Sequence, residues 1–212
     1  MLDRTVLVLG LAALAGQAGA DNTLRLDYSP YTFKPGGEFK LTPLSGDAGA
    51  TGLISDLSFD TFQTLCLESE EPVEPGDVYR FEISTAVQSN FFVPDPIDSR
   101  TAFLFSSFRA GTLAGFDYGA GRAASAGELQ QAIWFLEDEP EGVNNSFVSL
   151  ANTAVGPGGS WEGKGLGDVR VLNLYKLDGW GAQDQLTIVP SPGAAVLVGA
   201  GVLVLRRRAS DQ

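Results

Sequence analysis

Short apolar runs that alternate with polar residues, each closed by a glycine- or proline-rich break, constrain this chain more than any other feature. In TLRLDYSP, Leu24, Leu26 and Tyr28 alternate with Arg25 and Asp27; in DVYRFEIST, Tyr79, Phe81 and Ile83 alternate with Arg80 and Glu82. A period of two sends successive side chains to opposite faces of a strand, so each run reads as a half-buried β-strand. DVRVLNLYKL and AQDQLTIV are two further strand candidates. Between the runs stand Pro35-Gly36-Gly37, Pro75-Gly76-Asp77 and Gly156-Pro157-Gly158-Gly159, which is turn chemistry. The expected fold is therefore mainly β within the α+β class: a β-sandwich or barrel-like domain with two short inserted helices.

The helices are expected where the alternation lapses. SRTAFLFSSFRA, residues 99–110, has no glycine or proline and ends at Gly111. SAGELQQAIWFLEDE pairs Ser125 with Glu128 as a capping box and continues in good helix-forming sequence. On that helix Leu129, Ala132, Ile133 and Leu136 share one side, with Gln130 three and four residues from Ile133 and Trp134.

The two ends read as targeting segments. Residues 1–20, MLDRTVLVLGLAALAGQAGA, place Arg4 before an apolar run and Ala18-Gly19-Ala20 before polar residues, the pattern of a cleaved secretory signal peptide. The body is expected over residues 21–187. Residues 188–212 join Pro190, Ser191 and Pro192 to an apolar run, 194–205, and then to Arg206, Arg207 and Arg208. Twelve residues of helix cover about 18 Å, short of a hydrocarbon core of about 30 Å, so this would be a transient membrane helix with its arginines on the cytoplasmic side. The trio resembles the PEP-CTERM sorting signal, with Ser191 where that family usually carries Glu. The resemblance implies export, processing by an exosortase-type enzyme, and delivery to the cell surface or extracellular matrix.

Composition removes several chemistries. The 212 residues contain no histidine and a single cysteine, Cys66, which excludes Ser-His-Asp or Cys-His catalysis, His-ligated zinc and an intramolecular disulfide. A net charge of −12 argues against nucleic acid as a partner. The acidic residues Glu68, Glu70, Glu71 and Glu74 lack the order of a calcium loop and read as a solvated face, as does Glu137-Asp138-Glu139. No spacing singles out a pair of carboxylates for acid-base work, and neither enzymatic activity nor a cofactor is expected.

A solitary thiol in an exported protein invites intermolecular disulfides. Its surroundings, Leu65-Cys66, together with Gln130-Gln131-Ala132-Ile133-Trp134, resemble the thioester domains of bacterial surface adhesins, in which a cysteine sulfur and a glutamine side-chain carbonyl join. The resemblance assigns Cys66 as nucleophile and Gln130 as acyl donor, and implies covalent capture of amine-bearing ligands. Leu129 stands where that family often has Thr. Because water hydrolyses a thioester, apolar cover is required, and Phe62, Trp134 and Phe135 are the local candidates. In an extended FQTLCLE, Cys66 points with Phe62 and Thr64, towards the helix, while Leu65 and Leu67 point to the core. The alternative is a noncovalent envelope or exopolysaccharide-matrix protein in which Cys66 packs as a small hydrophobe.

Overall fold

The computed structural model describes residues 22–33, 36–45, 61–88 and 94–189. Residues 1–20, expected to be a signal peptide, and Pro190, Ser191, Pro192, Arg206, Arg207 and Arg208 of the expected sorting tail lie outside them. The fold is mainly β with three helices: β1 (Thr23–Tyr28), β2 (Phe39–Ser45), β3 (Phe62–Thr64), β4 (Val78–Ser84), β5 (Ala86–Gln88), β6 (Pro94–Pro96), α1 (Ser99–Arg109), α2 (Arg122–Leu136), α3 (Ser146–Val155), β7 (Val169–Lys176) and β8 (Gly181–Ile188). Six strands form one sheet in the order β3-β2-β1-β4-β7-β8, with every pairing antiparallel, and β5 and β6 form a separate pair.

The two edges of the large sheet meet. Past β3, the Leu67 N–H donates to the Asp184 carbonyl (3.0 Å), the Leu186 N–H donates to the Leu65 carbonyl (3.1 Å), and the Thr64 hydroxyl donates to the Leu186 carbonyl (2.7 Å). Cys66 and Gln185 face each other as an antiparallel bridge. Residues 64–67 thus run beside β8 and close the sheet into the barrel-like form expected from its alternating strands. Closure satisfies backbone groups that an open edge would leave unpaired.

Every strand but β6, which is exposed throughout, contributes to one or both of two cores. Leu24, Leu26, Leu41, Phe62, Tyr79, Phe81, Leu172 and Leu174 fill the interior of the rolled sheet. Leu65, Leu67, Val169, Val171 and Leu186 face outward, where α1, α2 and α3 cover them with Leu104, Phe105, Leu129, Ile133 and Phe147. Adjacent residues of β7, Val171 and Leu172, are both fully buried because they enter different cores. The alternation expected around Cys66 holds, with its faces exchanged: the thiol enters the barrel interior with Phe62, and Leu65 and Leu67 pack against the helices.

The helices depart from expectation in two ways. α2 begins at Arg122, three residues before the proposed cap, and its N-cap Gly121 makes no side-chain hydrogen bond. The Ser125 hydroxyl instead accepts from the Asp117 N–H (3.1 Å), while the Asp117 carboxylate accepts from the Gly119 and Gly121 N–H groups and folds the approach into a turn. Arg122 then anchors the first turn through two hydrogen bonds to the buried Glu38 carboxylate (2.9 and 2.7 Å). α3 is an additional helix, capped by Asn145, whose side chain accepts from the Phe147 N–H (3.0 Å).

Gly36 explains a close approach rather than a turn angle. A Cβ built there would press into the Trp134 ring, 2.8 Å from its Cζ2, and stand 2.9 Å from Gln130 Cγ. Both side chains are buried, so room for the added methyl has to come from repacking around them. Gly36→Ala is expected to destabilise the protein by about 1 to 3 kcal/mol through overpacking, read from the midpoint of urea unfolding.

Candidate functional site

Cys66 and Gln185 lie side by side on the seam that closes the barrel, both fully buried. The Gln185 Nε2 donates to Cys66 Sγ at 3.4 Å, and the thiol faces Gln185 Oε1 at 3.8 Å. Since these two atoms share one carbon, the sulfur sits beside the carboxamide carbon, the electrophilic atom of the side chain. Leu24, Leu26, Phe39, Phe62, Leu174 and Trp134 belong to the apolar cluster that encloses the thiol. Burial is the main reason that the thiol pKa rises to about 12; the Gln185 hydrogen bond lowers it and the nearby Glu68 carboxyl raises it.

Gln130, the glutamine expected to join the sulfur, does reach Cys66, but its amide engages the backbone. The Cys66 N–H donates to Gln130 Oε1 (2.9 Å), and Gln130 Nε2 donates to the Cys66 carbonyl (2.7 Å). One carboxamide thereby does for Cys66 what a neighbouring strand would do, using both of its edges. The opposite edge of the segment is held by β8 through Leu65 and Leu67. Cys66 is clamped from both sides, so its Sγ has little freedom to leave Gln185.

The expected sheltering residues divide. Phe62 is fully buried and Trp134 is 2% exposed, and both belong to the thiol's cluster. Phe135 is 38% exposed and takes no part in it, since the residue after Trp134 on a helix points some 100° away. Leu129, beside Gln130, packs with the helices in the second core.

A further correction concerns the acidic run. Glu68 is 7% exposed rather than solvated; its carboxylate accepts from the Asp184 N–H (3.1 Å) and its carbonyl accepts from Gln183 Nε2. Burial raises the Glu68 pKa to about 8 despite that hydrogen bond, with repulsion from Asp184, Glu71 and Glu139 adding to the rise. Asp184 is also buried; burial lifts it to about 7, against hydrogen bonds from the Gln88 N–H, Asn173 Nδ2 and the Leu174 N–H. In the second acidic triplet, Glu137 is raised to about 7 by burial, and the Glu139 carboxylate accepts from both the N–H and hydroxyl of Ser69. Among the described residues no group of three or more Cys, Asp or Glu could hold a metal ion.

Gln185 was not among the residues expected at the site. Its signal in the sequence is Gln183-Asp184-Gln185, three consecutive polar residues inside a strand, where a solvated edge and a buried polar site look the same. No helix among the described residues is long and apolar enough to cross a membrane. Comparison of the chain with models of known protein families, with curated proteins and with solved structures finds no match in any of the three.

Proposed function

We propose that the protein is an exported surface adhesin whose Cys66 sulfur and Gln185 side chain form an internal thioester that acylates amine-bearing ligands. The observation that carries this reading is the contact between Cys66 Sγ and the Gln185 carboxamide inside a dry apolar cluster. In forming the bond, sulfur attacks the carboxamide carbon, the C–N bond breaks, and ammonia leaves with the thiol proton. The product is uncharged and less polar than the thiol and amide it replaces, so an apolar interior favours it. With both residues at 0% exposure, hydrolysis is suppressed. Gln130 is a positioning residue in this scheme, holding the Cys66 backbone without contributing its own carbonyl carbon.

A second reading, a noncovalent envelope or exopolysaccharide-matrix protein, is favoured by the same apolar surroundings, because a buried thiol with its pKa near 12 also packs as a small hydrophobe. Intact mass separates the two. The thioester protein, purified natively, weighs one ammonia less than its processed sequence, and its Cys66 resists alkylation in denaturant until an amine opens the bond. Full mass with quantitative alkylation establishes the noncovalent reading.

A further inference from the structure

The reactive pair is sealed, yet a cleft of about 330 Å³ ends close to it. It is lined by the β1–β2 region at Tyr28, Thr32 and Phe39, by the segment from Ser69 to Pro75, and by Trp134 and Gln183. Phe39 and Trp134 belong to the cluster that encloses Cys66, and the Gln183 carbonyl accepts from Gln185 Nε2 (3.3 Å). The cleft therefore shares Phe39 and Trp134 with the cluster around the thiol and Gln183 with the hydrogen bonding of its amide.

Its lining is selective. Phe39, Pro72, Val73, Pro75 and Trp134 offer apolar and aromatic surface, and Glu71 supplies a carboxyl group. Burial first, and then repulsion from Asp184, Glu71 and Glu139, raises the pKa of Glu68; Glu71 is itself raised, first by burial and then by Glu139. Trp134 is 2% exposed and its indole Nε1 has no hydrogen-bond partner among the described residues. An aromatic and aliphatic passage beside clustered carboxyl groups matches an alkyl chain that ends in a cation.

We propose that this cleft is where the nucleophile docks, and that it selects unbranched alkyl ammonium groups, such as a lysine side chain, over amines that carry a negative charge. The assignment rests on the thioester reading above. The ammonium is drawn towards Glu71 and loses one proton to solvent. The free amine then attacks the acyl carbon of Gln185: the C–N bond forms, the C–S bond breaks, and sulfur takes the second amine proton to become a thiol again. Passage from the cleft to the acyl carbon requires the Trp134 and Gln183 side chains to part.

The test uses pentylamine and 6-aminohexanoate, amines of similar basicity that differ in a terminal carboxylate. With the thioester protein, pentylamine is expected to add about tenfold faster, followed by intact mass and thiol release. Glu71→Gln should narrow that ratio to about twofold, and Glu71→Lys should invert it. Equal rates in the unmodified protein, or a ratio untouched by Glu71→Lys, overturns the assignment. A protein without the mass deficit overturns the thioester instead, and the cleft is then judged by binding: pentylammonium should shift the Trp134 indole N–H resonance of Cys66→Ala, and Glu71→Lys should abolish the shift. No shift in Cys66→Ala overturns the cleft independently of the bond.

Discussion

Gln185→Ala is expected to restore the full sequence mass and leave Cys66 open to alkylation in denaturant, and Cys66→Ala is expected to lack the mass deficit as well. Each removes one of the two atoms that the bond joins, so the loss is complete rather than graded. Gln130→Ala tests the other glutamine, and here the effect is expected on stability. Removing its carboxamide strips the Cys66 N–H and carbonyl of their partners in a fully buried segment. An unsatisfied buried polar group costs about 1 to 3 kcal/mol, and with two of them the expected destabilisation is roughly 2 to 4 kcal/mol by urea unfolding. The bond still forms in Gln130→Ala, more slowly, because the sulfur and the Gln185 carboxamide remain opposed across the β8 seam. Loss of the deficit in Gln130→Ala with its retention in Gln185→Ala would assign the acyl group to Gln130 and overturn the arrangement proposed here.

The strands that could be read from the chain are those with one face in each environment. β1, β4, β7 and β8 all lie where alternation or apolar density marked them. β3 is three residues long and continues as a backbone-paired segment instead of a regular strand, so the signal that Cys66 sits on a sheet seam is spread across hydrogen bonds to residues 117 or more positions away. No local period reports such closure. α3 was missed for a different reason. Its cap, Asn145, is the middle residue of Asn144-Asn145-Ser146, which formally matches a glycosylation sequon and so reads as a surface loop rather than as the start of a helix. The site was half legible: Cys66, Gln130, Phe62 and Trp134 do converge, carried by the i, i+4 spacing of Gln130 and Trp134 on α2. What the spacing could not tell is which atoms of the glutamine meet which atoms of the cysteine. A side chain long enough to reach the sulfur is long enough to reach the backbone, and the free N–H and carbonyl of an edge segment are the stronger hydrogen-bonding claim.

Stability should fall as pH rises through neutrality. Glu68, Asp184 and Glu137 have native pKa values of about 8, about 7 and about 7, each lifted chiefly by burial above the 4.5 of an exposed Glu or the 3.8 of an exposed Asp. A carboxyl whose pKa is raised on folding holds its proton more tightly in the native state. Its contribution is fully present below the unfolded pKa and is lost as pH climbs through the native value, the reverse of a salt-bridged carboxylate. Between about pH 5 and 7 the native state binds up to three more protons than the unfolded chain, and each corresponds to about 1.4 kcal/mol per pH unit. Urea unfolding should therefore show a steep decline over that interval that levels off above about pH 8. Glu68→Gln keeps an oxygen that can accept from the Asp184 N–H while removing the ionisation, so it should reduce the slope by about one proton and raise stability at pH 8 by on the order of 2 kcal/mol. A flat profile, or equal slopes in Glu68→Gln and the unmodified protein, would mean that Glu68 is ionised in the native state. In that case the carboxylates beside Cys66 are held charged at neutral pH, and their repulsion would weigh directly against any thiolate that leaves Gln185.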